Sequence, residues 1–467
     1  MKRIGLSLIF LVAAIAYEHS AATVHAGTTG QNVTFNRDVL PILQKSCQGC
    51  HRPGEIAPFS LLSYQAARPY ARAIKKAVLT RQMPPWFAED GFATYSNDHR
   101  LSQNQIDTLI AWVDQGAKEG DPKDAPPPIQ FVDGWQIKPD MVVEMPKPFR
   151  LPPTGTINYQ NMLVKLNLPE DRWVIAAEMR PGNRKGVHHG RVNVRPPDSD
   201  YMNGAEEGVA YENGDQRLGP SRGVIDLLGK FNPGLGEQGF NEFESAKFLP
   251  RGSDLIFNLH YTSYGEDSDD QSKVGLVFAP KGWTPQYRYF VHNGPLAMNL
   301  AIPPNDPNAE VVAELTTQVP MKLVYMQPHM HLRGKDFELR LTYPSGQTKT
   351  VLKGRWNFDW QLGYDLAQPI KLPVGTRIIS ICHYDNSESN KFNPNSKQRV
   401  YWGDQNWDEM QNIFIGVLVD PKLDQRTFFK PCGPSLLKRG DSGPTLSMLF
   451  QVPGPARAKS AADLVTP

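Results

Sequence analysis

The chain has no apolar run of membrane-spanning length. Its longest candidate, Ile4 to Ala16, covers about thirteen residues, whereas a spanning helix needs ~20. A stable membrane span is therefore not expected. It also lacks a dominant charge, with 50 Lys+Arg against 48 Asp+Glu, a formal +2, and no long like-charge block. That excludes a polybasic membrane surface and argues against nucleic acid as a partner. Four cysteines in 467 residues, Cys47, Cys50, Cys382 and Cys432, are too few for a disulfide scaffold. No G-x-G-x-x-G, P-loop or G-x-S-x-G motif falls where a strand-to-helix junction would use it, so nothing marks a dinucleotide fold, a phosphate cradle or a serine hydrolase.

What the chain has in excess is Pro (41) and Gly (38), together about 17% against a usual ~12%, which favours turn-rich β structure over long helical bundles. Its length predicts several domains. Lys2 and Arg3 followed by the short apolar run and the Val24-His25-Ala26 triplet form a secretory signal over residues 1–26, so the mature chain is expected to be exported, with a periplasmic location. An oxidising compartment allows Cys382 and Cys432 to bridge.

From about Val33 to Gly120 the pattern is helical. Ser102 caps a helix with Gln105 three residues on, and Ile106, Leu109, Ile110 and Val113 follow at helical spacing. Asn36 to Ser46 reads as a shorter helix in which Pro41 sits awkwardly. It leads into Cys47-Gln48-Gly49-Cys50-His51. The C-x-x-C-H spacing places two thiols where they can add to the vinyl groups of a haem and presents an imidazole to the iron. Residues 32–118 thus resemble a c-type cytochrome domain, which implies a covalently attached haem c on Cys47, Cys50 and His51. In such domains a methionine commonly closes the sixth iron position; Met83 is the candidate here, with His99 or an open site as competitors. Residues 119–129, with three consecutive prolines, read as an extended linker.

Beyond residue 130 the period changes to two. Phe337, Leu339, Leu341 and Tyr343 alternate with polar residues, Pro344-Ser345-Gly346 turns the chain, and Thr348 to Leu352 returns. Two antiparallel β-sandwich lobes of jelly-roll type are expected, at 130–290 and 291–455, with a tail at 456–467. The fold class is then multidomain, a small all-α cytochrome c domain followed by the two lobes.

Histidines cluster in this body. His188 and His189 are adjacent between Gly186 and Gly190, His260 ends the run Leu255–Leu259, and His329 and His331 flank Met330. Strand residues i and i+2 share a face, so His329 and His331 can chelate one metal from a regular strand. Adjacent residues point to opposite faces, so His188 and His189 can share an ion only if the backbone is irregular, which flanking glycines permit. Imidazole count alone does not choose between zinc, copper, nickel and iron.

The order of these motifs is similar to that of the copper type II ascorbate-dependent monooxygenases, the family of the peptidylglycine α-hydroxylating and dopamine β-monooxygenases. His-His, Leu-His-Tyr, His-x-His and the Glu409-Met410 pair carry the resemblance over most of 130–455. It implies two copper ions facing each other across a cleft. His188, His189 and His260 would hold the electron-transfer copper, and His329, His331 and Met410 the catalytic copper that meets O2 and substrate. It implies hydroxylation of a C–H bond of a small organic substrate, each copper giving one electron. The alternative is a haem and copper electron-transfer or copper-binding protein without hydroxylase activity.

This chain departs from the family where its peptide-hydroxylating members grip a carboxylate. An arginine and a tyrosine are replaced by Gln327 and Phe414, leaving Asn412 as a polar group, which argues against a peptide C-terminus as substrate. The family's cysteine after Glu-Met is Gln411. The attached haem suggests that electrons arrive from a redox donor protein through the haem, with ascorbate as the other source.

Overall fold

The computed structural model describes residues 32–430, apart from 56, 132–133, 214, 216, 219–225 and 233–237. The signal segment, the tail, the end of the second lobe and Cys432 lie outside the described residues.

The N-terminal segment opens on a π-helical turn, Phe35–Val39, after which an α-helix starts afresh at Leu40 and runs to Ser46. That restart resolves the awkward proline: Pro41 stands in the first turn of the new helix, where its missing N–H costs nothing. The helix Gln103–Asp114 carries the capping box, with Ser102 accepting from the Gln105 N–H and the Gln105 side chain accepting from the Ser102 N–H. It buries Ile106, Leu109 and Trp112 against Phe35, Leu43, Ile74 and Val78.

The expected all-α domain over 32–118 is not what forms. Among the described residues, the α-helices besides Gln103–Asp114 are Leu40–Ser46, Tyr64–Ala67 and Ala71–Leu79, and the stretches between Ser46 and Tyr64 and between Leu79 and Gln103 show no α-helix. Residues 86–97 leave the helices altogether and pair with the last lobe, through bridges Ala88 to Gly354 and Tyr95 to Leu366. The reason is local and tertiary at once. Pro84 and Pro85 deny the chain a helix, and Trp86, Ala93 and Tyr95 bury their surface in that lobe's core. The chain as a whole is predominantly β, and the Pro-rich stretch does not stand off as a free spacer: the Pro127 carbonyl accepts from Gln44 Nε2 (2.9 Å).

The two sandwiches are not separate either. A nine-stranded sheet passes through both, eight strands along its path and a ninth, Gln238–Gly239, paired beside Arg172–Arg180. Its path runs Met141–Glu144, Lys273–Phe278, Arg172–Arg180, Ser245–Leu249, then Tyr287–His292, Asn412–Val419, Met321–His329 and Tyr364–Leu372. The halves join where Tyr287 and Arg288 lie parallel to Ser245 and Ala246. Each half is covered by its own five-stranded antiparallel sheet. In the first lobe Val174 and Ala177 meet Val192 and Leu255 from the covering sheet; in the second, Leu323 and Ile413 meet Leu339 and Ile378. The hairpin expected around Pro344-Ser345-Gly346 is present, with Thr342 opposite Thr348. Among the described residues no helix is long and apolar enough to cross a membrane.

Candidate metal centres

The first histidine set is made by a bulge. Strand Asp254–Tyr261 pairs with Val187–Arg195 so that His260 faces His189 while Tyr261 faces Val187, which leaves His188 as the extra residue. A bulge re-aims one side chain, and it brings His188 round to its neighbour: ligand nitrogens of His188, His189 and His260 all lie within 4.8 Å of one another. His188 Nδ1 and His189 Nδ1 are 3.2 Å apart, close to the ~3.3 Å between two nitrogens that share an ion at ~2.0–2.1 Å. At Gly190 the ends of the Met179 and Leu259 side chains pack close to the backbone, where a Cβ would displace them.

Tyr159 fixes the set. Its hydroxyl meets His189 Nε2 at 2.6 Å and its ring stacks on His260 at 4.4 Å and 14°. With Nε2 engaged, His189 offers Nδ1 to an ion. His260 Nδ1 is buried with no hydrogen-bond partner, a state that costs a few kcal/mol unless something occupies it. Burial keeps the rings neutral: His260 is lowered to about 3, and His188 and His189 are also lowered, so their lone pairs are free for a metal at neutral pH. The residues fit a bound cation.

The second set stands at a strand end. His329 closes strand Met321–His329 opposite Asn412, and Gln327 faces Phe414. Gln327 and His329 therefore share a face with Phe414 and Asn412. His331 itself lies past the strand, not on it as its spacing suggested. A carboxylate latch holds it there. Glu409 Oε2 accepts the His331 N–H (2.8 Å) and Oε1 accepts the Arg333 N–H (2.6 Å), and burial pushes this carboxyl up to about 8. The His329 and His331 rings are 5.3 Å apart at 88°. Both are neutral through burial, His331 lowered to about 4 and His329 well below its usual value. Met410 is buried and lines a cavity of about 250 Å3 with His329, Arg191 and Asn412. A soft thioether beside two neutral imidazoles suits a soft cation such as Cu(I).

Among the described residues the two sets lie close together. The rings of His189 and His329 come within 6.3 Å, and a void of about 20 Å3 lined by both rings and by Lys230 lies beside them. Lys230 is a buried amine that donates to the Tyr325 hydroxyl and to Gln327 Oε1 (2.6 Å), and burial lowers it to about 7.

In the N-terminal segment Cys47 and Cys50 are unbridged thiols, Cys47 pushed up to about 12 by burial. His51 Nδ1 faces the Phe59 carbonyl at 3.3 Å, leaving Nε2, and burial lowers its pKa. Two thiols and a neutral imidazole fit the groups that hold a c-type haem. Met83 is half-buried in the turn after Ala71–Leu79, its N–H donating to Ala77 O (3.3 Å). His99 is committed elsewhere, with ring nitrogens at 2.8 Å from Pro85 O and 3.0 Å from Asn97 O. Glu55 ties the motif loop to the first histidine set, through Arg184 Nη1 at 2.8 Å, four residues before His188. Cys382 is buried, with Sγ 3.7 Å from Ser380 Oγ.

Motif reasoning missed Tyr159, Lys230 and Gln361, whose Oε1 lies 2.8 Å from His329 Nδ1, and it named Glu409 without its latching role. Only Glu409, adjacent to Met410, had a signal to follow.

No protein-family model and no curated protein matches the chain. Similar solved structures include that of the infectious bursal disease virus Gx strain, at 8% identity over 64% of this chain and 77% of that one, TM-score 0.18. PNGF-II is similar at 8% identity over 61% and 66%, TM-score 0.28. The major capsid protein P2 of bacteriophage PM2 is similar at 10% identity over 58% and 97%, TM-score 0.24. Likenesses this slight carry no argument about fold or function.

Proposed function

We propose that this chain is an exported copper monooxygenase that hydroxylates a C–H bond of a small organic molecule with O2, on the pattern of the copper type II ascorbate-dependent monooxygenases. The observation that carries the reading is the pair of neutral, buried donor sets: three imidazoles with an orphaned nitrogen at His260, and the His329 and His331 rings 5.3 Å apart with the Met410 thioether lining the cavity beside His329. His188, His189 and His260 would hold one copper, and His329, His331 and Met410 the other. Copper bound there supplies one-electron chemistry towards O2. The chain's own residues do the rest. Tyr159 and Gln361 fix ring orientation, through His189 Nε2 and His329 Nδ1. The Glu409 latch keeps His331 in place, and a cavity of about 250 Å3 beside His329 and Met410 gives room for a small organic molecule.

A covalent haem on Cys47 and Cys50, with His51 and Met83 as iron ligands, would pass electrons from a periplasmic donor to the copper body. The Glu55–Arg184 pair supports this by docking the motif loop beside the His188 strand.

The test is elemental analysis with the haem spectrum of the reconstituted chain, followed by substrate-dependent O2 uptake. Two coppers and one haem are expected, with uptake abolished in His329→Ala and Met410→Ala. Copper without any substrate-dependent uptake would leave an electron-transfer protein. Donor-driven turnover that persists in a folded His51→Ala chain would remove the haem from the pathway.

A further inference from the structure

Loop Trp356–Gly363 connects strands Thr348–Arg355 and Tyr364–Leu372 and touches both histidine sets. Gln361 Oε1 lies 2.8 Å from His329 Nδ1, so that nitrogen donates and Nε2 is left for an ion. The Trp356 indole N–H donates to the His331 carbonyl (3.0 Å). Phe358 reaches across to the other lobe and stacks on His188 at 5.9 Å and 30°.

The loop is itself held from two directions. From the first lobe, Lys230 Nζ donates to Gln327 Oε1 (2.6 Å), and Gln327 Nε2 donates to the Gln361 carbonyl (2.8 Å). From the N-terminal segment, both of its ends are clamped. On one side Glu89 N–H donates to Lys353 O (2.8 Å) and Phe87 O accepts from Arg355 N–H (3.3 Å). On the other, Asn97 Nδ2 donates to Gly363 O (2.9 Å) and Asn97 Oδ1 accepts from Asp365 N–H (3.0 Å). The residues that make these clamps, 87–97, follow Met83 after Pro84, Pro85 and Trp86.

We propose that this loop is a positioning element common to both metal sites, and that residues 87–97 set the geometry of histidines they do not touch. Gln361 is the positioning residue for His329, and Asn97 acts through it. The inference rests on the reading that both sets bind copper. It gives the fusion of the N-terminal segment a mechanical consequence in addition to any electron supply.

The test is a Cu(II) titration of the full chain followed by electron paramagnetic resonance, so that no turnover is needed. Gln361→Ala should weaken copper at the His329 set ten- to a hundredfold, the usual cost of losing a partner that orients a ligand, and should change that site's hyperfine pattern. Gln361→Glu, which keeps the acceptor, should restore it. Asn97→Ala should shift the same signal in the same direction by a smaller amount, while the exposed-turn control Ser345→Ala leaves it unchanged. Wild-type spectra and affinities in both folded Gln361→Ala and Asn97→Ala overturn the inference. A wild-type chain that binds no copper fails before any variant is made, and overturns the function reading with it.

Discussion

The two histidine sets offer similar chemistry from different backbones. The first is built inside a sheet: His189 and His260 face each other on paired strands and one bulge adds His188. The second begins where a strand stops, and its outer histidine is placed by the buried Glu409 carboxyl group, which accepts from two main-chain N–H groups. A ladder holds its residues through many hydrogen bonds, whereas a latch concentrates the same task in one side chain. The second set should therefore be the more easily lost, and single substitutions should separate the two.

Acid should break both at once. In the unfolded chain imidazoles titrate near 6.5, but folded His260 and His331 stay neutral down to about 3 and about 4. Below 6.5 the unfolded state therefore binds more protons, and stability falls as pH falls until those lower values are reached. At 1.4 kcal/mol per unit, the two rings together remove roughly 4 kcal/mol from the metal-free protein between pH 7.5 and 5.0, while Glu409, raised to about 8 in the folded chain, works the other way and returns roughly 3 kcal/mol over the same window. Urea midpoints of the Glu409→Gln chain, in which that opposing titration is removed, measure the histidine effect at the two pH values; equal midpoints there would contradict the buried, neutral cluster.

Glu409→Ala should break only the second set. It strands the buried N–H groups of His331 and Arg333, at a cost of about 3 kcal/mol. The expected readout is one copper retained per chain at the His188 set, with a lowered denaturation midpoint. Loss of both coppers from a folded variant would show that the sets are not independent.

Tyr159→Phe sharpens the comparison from the other side. The ring still stacks on His260, but the hydroxyl on His189 Nε2 is gone, so stability should drop by about 1 kcal/mol and copper at the first set should weaken ~tenfold. The second site's spectrum should not move. Arg184→Ala should matter least to stability, under ~1 kcal/mol, because its pair with Glu55 is partly exposed. Its expected effect is slower haem-to-copper electron transfer by stopped-flow absorbance, with both histidine spectra intact.

Much of the site could be read in the linear chain. A neighbouring histidine pair cannot share an ion on a regular strand, and the chain has the required bulge at His188. The capping box at Ser102 and the hairpin at Pro344–Gly346 follow from local residue chemistry and form as local chemistry dictates. The His-x-His spacing was only half informative, because its second member lies beyond the strand and is held by Glu409 from 78 residues away in sequence. Gln361 and Tyr159 carry no periodicity and belong to no motif; nothing short of the fold assigns them to His329 and His189.

The sequence by itself determined which donor atoms this protein has and the local irregularities they need, since thiol spacing, residue alternation and glycine placement act within a few residues. Tertiary structure alone decided the rest. Whether two sandwiches share a sheet depends on a parallel pairing at Tyr287 and Ser245 between distant strands. Whether residues 86–97 join the helices or the last lobe depends on where Trp86 and Tyr95 bury the most apolar surface. That burial is non-directional and non-local, so no spacing of residues announces it, and it is what brings the N-terminal segment against the loop that touches both histidine sets.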